Sequence, residues 1–249
     1  MFVDRWITGT VVENYRWNDW LYSLMVDAPM TDFEAGQFTR LGLELDGDFV
    51  ARPYSFVNPP GELPLEFFYV TVPDGPLTRK LTSLAAGDTI QLESKPQGVM
   101  ILSRMQAAQN LWLFASGTAV GPFISILKTA VPWQHYENVV LAYGVRFAAD
   151  LTHQHVIGEL REQYGERFQF VPLVTREATD FALPYRIPQA IQAGTLEERA
   201  GLNLDPQTSQ AMICGSSAMV KDTTAMLGER GLVRNRPRKP GHITVESYF

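Results

Sequence analysis

Leu111-Trp112-Leu113-Phe114-Ala115-Ser116-Gly117-Thr118-Ala119-Val120-Gly121-Pro122 is the stretch that decides the fold. Its first five residues form an uninterrupted apolar run of strand length, the pattern of a strand covered on both faces. A turn of small residues follows, and Pro122 then suits the first turn of a helix running to Thr129, where its missing N–H costs little. The alternation repeats downstream. Val139 to Tyr143 and Phe168 to Val174 read as strands on either side of a helix from His153 to Tyr164. Ala211-Met212-Ile213-Cys214 reads as another strand, leading into a helix from Ala218 to Glu229. Strand–helix alternation implies a parallel sheet with right-handed crossovers.

The chain before about residue 104 has a different rhythm. Gly9 to Val12, Leu21 to Val26, Phe38 to Leu41 and Leu65 to Val72 are short β-rich runs. Turn signals separate them at Asp46-Gly47-Asp48, Asn58-Pro59-Pro60-Gly61, Pro73-Asp74-Gly75-Pro76 and Ala86-Gly87-Asp88. A single helical segment, Leu77 to Leu84, interrupts them. Many short strands at this spacing predict an antiparallel sandwich or barrel. The expected architecture is an antiparallel Greek-key β-barrel over residues 1–104, followed by an α/β parallel-sheet domain over residues 105–249.

Composition narrows the function. The chain has 249 residues, 45% of them hydrophobic and 19% charged, with a net charge of −6. An acidic balance argues against nucleic-acid binding. The first residues lack a secretory pattern and no apolar run approaches bilayer length, so a cytoplasmic protein without a membrane segment is expected. A single cysteine, Cys214, allows no internal disulfide and no cysteine-held cluster. No metal is expected. His153-Gln154-His155 is read as solvent-exposed, because a two-residue spacing on a helix turns the rings to different faces.

Arg52-Pro53-Tyr54-Ser55 carries the clearest chemistry in the first half. Arg52 and Tyr54 share one face of a strand, where a guanidinium can neutralise a phosphate and a phenol ring can stack on a flat heterocycle. An edge strand packing its tyrosine into a core would look the same. In the second half, Gly117 and Thr118 stand where a backbone can approach a pyrophosphate at a helix N-terminus. Arg146, Thr175 and Arg176 fall at or just past strand ends, with Arg186 before Ile187-Pro188. Ligands of open parallel sheets bind beyond the carboxyl ends of the strands, so Arg146 and Arg176 are expected to converge on one crevice. Cations there favour a ribose 2′-phosphate, hence NADPH over NADH. Three solvated surface arginines are the plainer alternative.

The ordered set Arg52-Pro53-Tyr54-Ser55, Gly117-Thr118-Ala119-Val120-Gly121-Pro122, Cys214-Gly215-Ser216-Ser217 and terminal Tyr248-Phe249 resembles the ferredoxin/flavodoxin–NADP reductase family in its short bacterial form, over essentially the whole chain. Two departures stand out: Ala119 replaces the middle glycine of the family's loop, and Ser216-Ser217 replaces its Asn-Pro. The resemblance implies FAD and NADP(H) as cofactors, hydride transfer from NADPH to the flavin, single-electron delivery to a ferredoxin or flavodoxin, and a monomer. It implies that Tyr69, Val70 and Thr71 edge the flavin, that Leu77 and Thr78 meet its pyrophosphate, and that Ser55 and Thr118 bring hydroxyls to it. Cys214 and Gly215 would lie beside the nicotinamide, Glu246 would act as a proton relay, and Tyr248 and Phe249 would cover the FAD. An aromatic cover must move to admit nicotinamide, so deletion of Phe249 is expected to change NADPH affinity and turnover together. Arg230, Arg234, Arg236, Arg238 and Lys239 form a basic run suited to steering an acidic carrier. Two other readings stay open on the residues: a reductase of free flavin, ferric chelates or quinones, and a non-catalytic interaction module.

Overall fold

In the computed structural model, which describes residues 5–30, 32–236 and 238–248, two sheets organise the chain. The first is antiparallel and six-stranded: β1 (Trp6–Arg16), β2 (Leu21–Asp27), β3 (Phe38–Leu45), β4 (Asp48–Ser55), β5 (Leu65–Val70) and β6 (Thr89–Glu93), in the order β4-β3-β6-β1-β2-β5. Local chemistry sets its hairpins. Asp46 and Gly47 both take positive φ between Leu45 and Asp48, the two-residue turn whose twist matches flanking strands. The sheet curls until its two edges meet, where Phe56 and Phe67 form a bridge and the Val57 N–H donates to the Glu66 carbonyl at 3.0 Å. Leu24, Leu41, Leu65, Phe67 and Leu92 fill the interior. Pro53 lies on β4, at the sheet's edge, where its missing N–H interrupts no central ladder. A short helix, α1 (Pro76–Leu81), plugs the barrel with Leu77 and Leu81.

The second sheet is parallel and five-stranded: β7 (Asn110–Ser116), β8 (Asn138–Val145), β9 (Phe168–Val174), β10 (Ser209–Ser216) and β11 (Ile243–Tyr248), in the order β11-β10-β7-β8-β9. Its helices are α2 (Gly121–Leu127), α3 (Val131–His135), α4 (Gln154–Tyr164), α5 (Ile187–Gln192), α6 (Thr195–Ala200) and α7 (Ser217–Glu229). Apolar clusters cover both faces, which is why β7 has no polar alternation from Leu111 to Ala115. Strand order reverses between β7 and β10, and this switch point places a crevice outside their carboxyl ends. One cluster runs across the boundary between the sheets, joining Leu21, Val57, Phe68 and Met100 to α2, β7 and β8.

Most strands and the longer helices lie where the sequence pattern predicted them. The sequence reading named neither β6 nor β11 as a strand, and it missed α3, α5 and α6.

Candidate functional site

A cleft of about 620 Å³ opens between the barrel and the carboxyl end of the parallel sheet. Arg52, Pro53, Tyr54 and Ser55 from the end of β4 form one wall, and Tyr69 and Val70 from β5 another. Leu77, Thr78 and Thr118 line it further round, and Tyr248 and Glu246 close it from β11. The two-residue periodicity holds at Arg52 and Tyr54, which both face the cleft. Arg52 donates only to its neighbouring Ala51 carbonyl, at 2.8 Å, among the described residues. Tyr69 points its ring inward, where the hydroxyl donates to Asn14 Oδ1 at 3.1 Å, so β5 offers its backbone edge to the cleft. Leu77 likewise buries its side chain in the barrel. The Thr78 hydroxyl is engaged within its own loop, with Val72 and Gly75. Thr71 does not line the cleft, yet its Oγ1 is buried with no hydrogen-bond partner among the described residues.

The other half of the site sits at the switch point. Gly117 follows β7 with φ +56 and open space where a Cβ would stand, so a glycine is needed for the turn and nothing fills the gap. Ala119 is fully buried against the core, so the methyl that departs from the family's loop points away from the crevice. A Cβ on Gly215 would fall 2.2 Å from Ser116 Oγ and 2.4 Å from Met219 Cε, a close approach that only glycine permits. Ser216 caps α7, its Oγ accepting from the Met219 N–H at 3.3 Å, which starts the helix without the family's proline.

β8 and β9 extend their pairing past both strand ends. The Arg176 N–H donates to the Arg146 carbonyl at 2.9 Å, and Thr175 donates to the Val145 carbonyl through both its N–H and its hydroxyl. The two arginines are therefore adjacent, both side chains exposed and without ion pairs among the described residues. Arg186 precedes α5, whose Ile187 packs beside Gly144 near the same strand end. Glu177 accepts from the Ala148 N–H and so ties the two arginine loops together.

The halves meet at Tyr248. Its hydroxyl hydrogen-bonds to Ser55 of the barrel, and the residue packs against the apolar cluster that contains Cys214 of β10. Burial, and then the neighbouring Glu246 charge, push the Cys214 thiol well above its ordinary value, so it stands as a neutral thiol. Burial also raises the Tyr248 and Tyr54 phenols. Glu246 accepts from the Val99 N–H through Oε2 at 3.3 Å, while Oε1 is buried without a partner among the described residues. Burial outweighs that bond and raises its carboxyl. Phe249 lies outside the described residues.

The oxidoreductase NAD-binding domain family matches residues 113–225. The flavodoxin/ferredoxin–NADP reductase of Escherichia coli is 42% identical over 245 residues, covering 98% of this chain and 99% of that protein. The chain belongs to the flavodoxin/ferredoxin–NADP reductase family. The ferredoxin–NADP reductase of Pseudomonas aeruginosa is 36% identical, with 97% of each chain covered. A crystal structure of a ferredoxin NADP+ reductase from Neisseria gonorrhoeae with bound FAD and NADP superposes with a TM-score of 0.94 at 30% identity, covering 99% of this chain and all of that one.

Two features of this family member escaped the sequence reading. β11 places Glu246 and Tyr248 by pairing with β10 in register, Cys214 opposite Glu246 and Ser216 opposite Tyr248. Its Ile243-Thr244-Val245 start was the available signal. His153, expected in solvent, is instead 1% exposed, because its partner is a carboxylate distant in sequence, Glu66. The basic run also divides. Arg230 is committed to Glu197 and the Ile191 carbonyl, whereas Arg234, Arg236, Arg238 and Lys239 are exposed on a turn beside β11.

Proposed function

We propose that the protein is an FAD-containing oxidoreductase that draws electrons from NADPH and delivers them singly to an acidic carrier of the flavodoxin or ferredoxin type. The observation that carries this reading is the junction at Tyr248, whose hydroxyl bonds to Ser55 in the barrel cleft while its strand pairs with β10 at the switch point of the parallel sheet. A cleft for a flat ring and a crevice for a dinucleotide thus share one boundary.

The residues fit a flavin nucleotide. The cleft's volume suits a large ligand, a guanidinium bonded only to its neighbouring backbone carbonyl and an aromatic ring face it from one strand, and Glu246 on its lining keeps Oε1 without a partner among the described residues. Arg52 would neutralise a phosphate and Tyr54 would stack on the ring. The backbone of Tyr69, Val70 and Thr71 would edge the ring, with Leu77 and Thr78 at the pyrophosphate and the Thr118 hydroxyl near the flavin. When bound, the flavin supplies the exchange between paired electrons at a nicotinamide and single electrons at a protein carrier.

On the dinucleotide side, Gly117 and Thr118 offer backbone at the turn after β7, and Gly215 keeps the crevice free of side chain. Arg146 and Arg176, with Thr175 and Arg186, provide the cationic rim that a 2′-phosphate needs. Cys214 contributes a small, neutral, polarisable surface for the nicotinamide. Glu246, whose carboxyl burial raises, would serve as a proton relay at the end of β11, with the hydroxyls of Ser55 and Tyr248 on the same cleft. The exposed basic turn beside β11 supports an acidic carrier. We assign residues 1–104 to the flavin unit and residues 105–249 to the dinucleotide unit, with the chain acting as a cytoplasmic monomer. The composition and family resemblance support that last part, and no helix among the described residues is long and apolar enough to cross a membrane.

The test is anaerobic titration of the purified protein with NADPH, followed in the visible spectrum, beside a parallel NADH titration. Flavin bands that bleach with NADPH and respond weakly to NADH support both cofactor assignments. Equal bleaching removes the 2′-phosphate argument, and a protein that cannot be loaded with FAD overturns the proposal.

A further inference from the structure

His153 starts α4 with a left-handed backbone, φ 58 and ψ 25. That conformation is costly for a non-glycine residue, so something around it must hold it there. The ring is buried, and each nitrogen has a partner. Nε2 is 2.9 Å from Glu66 Oε1, and Nδ1 is 2.9 Å from Thr152 Oγ1. The ring meets Phe68 edge-on at 5.0 Å and tilts against Trp17 at 4.8 Å. Glu66 also accepts from the Ser23 hydroxyl at 2.6 Å, and Ser23 in turn accepts from Trp17 Nε1 at 2.9 Å. Burial alone would raise the Glu66 carboxyl, but the His153 bond and charge, the Ser23 bond and the Lys128 charge together hold it below its ordinary value.

The pair crosses the boundary between the two sheets. Glu66 belongs to β5, and the residues that follow it, Phe68, Tyr69 and Val70, wall the flavin cleft. His153 ends the loop that leaves β8 and carries Arg146. That loop is stiff. The Asp150 carboxylate accepts from the Phe147 N–H, from Trp20 Nε1 at 2.9 Å and from Asn18 Nδ2 at 3.1 Å, and its carbonyl accepts from the Tyr143 hydroxyl. Trp20 and Asn18 belong to the barrel, between β1 and β2, so these bonds cross the same boundary and brace the loop beside the His153–Glu66 pair.

A buried polar pair is weak evidence for stability, since apolar packing of the same volume often does as well. Here the surroundings are Trp17 and Phe68, so an apolar replacement was available. A directional bond between two rigid bodies instead fixes their separation and orientation.

We infer that His153 and Glu66 are positioning residues, a clasp that sets the wall of the flavin cleft against the dinucleotide crevice. The inference rests on the reaction proposed above. All the dinucleotide-binding groups lie on the parallel-sheet side, so the clasp acts on turnover and leaves dinucleotide affinity alone. Reaching across to β5 is what matters, which makes chain length at position 153 the deciding variable.

The experiment compares two amides in the FAD-loaded enzyme. H153N suits the left-handed backbone and keeps a polar group near Thr152, but is too short for Glu66; H153Q places its amide where Nε2 stands. Three quantities are read: NADP+ affinity by calorimetry, the change that NADP+ induces in the flavin spectrum, and kcat and KM for NADPH with ferricyanide as acceptor. H153N is expected to lose about tenfold or more in kcat, the scale of a small misplacement of reacting groups. Its NADP+-induced spectral change should shrink while its NADP+ affinity stays that of wild type, and H153Q should restore both turnover and spectrum. Wild-type turnover in H153N, an affinity loss as large as the turnover loss, or an H153Q that behaves like H153N each overturns the clasp. If H153N does not purify with flavin, E66A breaks the same bond from the barrel side and is judged by the same numbers. Wild-type protein that holds no flavin or oxidises no NADPH refutes the functional reading itself, whereas normal wild type with an indifferent H153N refutes the clasp alone.

Discussion

Cys214 and Glu246 stand opposite each other on parallel neighbours β10 and β11, in register, at the carboxyl end of the sheet. Burial, and then the Glu246 charge beside it, raise the cost of ionising Cys214. Burial and this neighbour together keep the thiol neutral, and burial also raises the Glu246 carboxyl.

The Glu246 carboxyl therefore has a testable pH signature. Burial raises it in the folded state, with the Val99 N–H opposing. A carboxyl raised on folding binds its proton more tightly when folded, so its contribution is complete below the unfolded value and is lost as pH rises through the folded one. E246Q is a permanently neutral isostere. Its melting temperature relative to wild type should rise between pH 5 and pH 8, read by thermal unfolding across that range. A difference that stays constant with pH means Glu246 is not held protonated, and a difference that falls means it is stabilised as the anion.

The arginine pair predicts how the cofactor is selected. Arg146 and Arg176 are adjacent through a backbone bond, exposed, and without ion pairs among the described residues. Hydrogen bonds to charged groups contribute about 1.5–3 kcal/mol each, which corresponds to roughly 10- to 150-fold in affinity. R176A should raise KM for NADPH within that range and leave KM for NADH unchanged, so that the preference narrows. Equal losses with both nucleotides would place Arg176 in general folding of the loop and not at a 2′-phosphate.

How much of this could be read from sequence depends on where each residue's partner lies. β7 and the turn after it were legible because a doubly covered strand and a small-residue turn leave local marks at Leu111 to Gly121. The convergence of Arg146 and Arg176 followed from one rule about parallel sheets, with no contact needing to be known. β11 was not legible as a strand, since its identity comes from pairing with β10 across an intervening helix. His153 misled for a related reason. Helical spacing describes the face a ring takes within its own helix and says nothing of a left-handed first residue aimed at Glu66, 87 positions away.

Gly117 and Gly215 should fail differently when replaced by alanine. At Gly117 the added methyl meets nothing, so the cost is only that of a positive φ, about 1–2 kcal/mol. At Gly215 the methyl collides with Ser116 and Met219, and overpacking of this kind costs about 1–3 kcal/mol while displacing its neighbours. Each kcal/mol moves the melting temperature of a chain this size by about 2–4 °C. Both variants should melt earlier and both should lose NADP+ affinity, G117A because its methyl enters the open space at the proposed pyrophosphate turn and G215A because it displaces Ser116 at the crevice. Calorimetry on the two purified variants reads both losses, and a wild-type affinity in G215A would remove Gly215 from the site.

The basic turn beside β11 makes the last prediction. Arg234, Arg236, Arg238 and Lys239 are exposed on an acidic protein, and β11 is the strand that carries Glu246 and Tyr248 to the cleft. Surface charges of this kind act on the encounter with a partner more than on the stability of the complex. A double reversal, R236E with R238E, should raise KM for an acidic flavodoxin or ferredoxin carrier and leave the reduction of ferricyanide by NADPH at its wild-type rate. The effect must also fade with salt, because the screening length shrinks from about 10 Å at 0.1 M to about 3 Å at 1 M. Steady-state assays at both ionic strengths read both statements at once. A KM unchanged at low salt would show that the carrier approaches from another side of the cleft, and a loss that persists at high salt would mean these arginines make direct contacts in the docked complex.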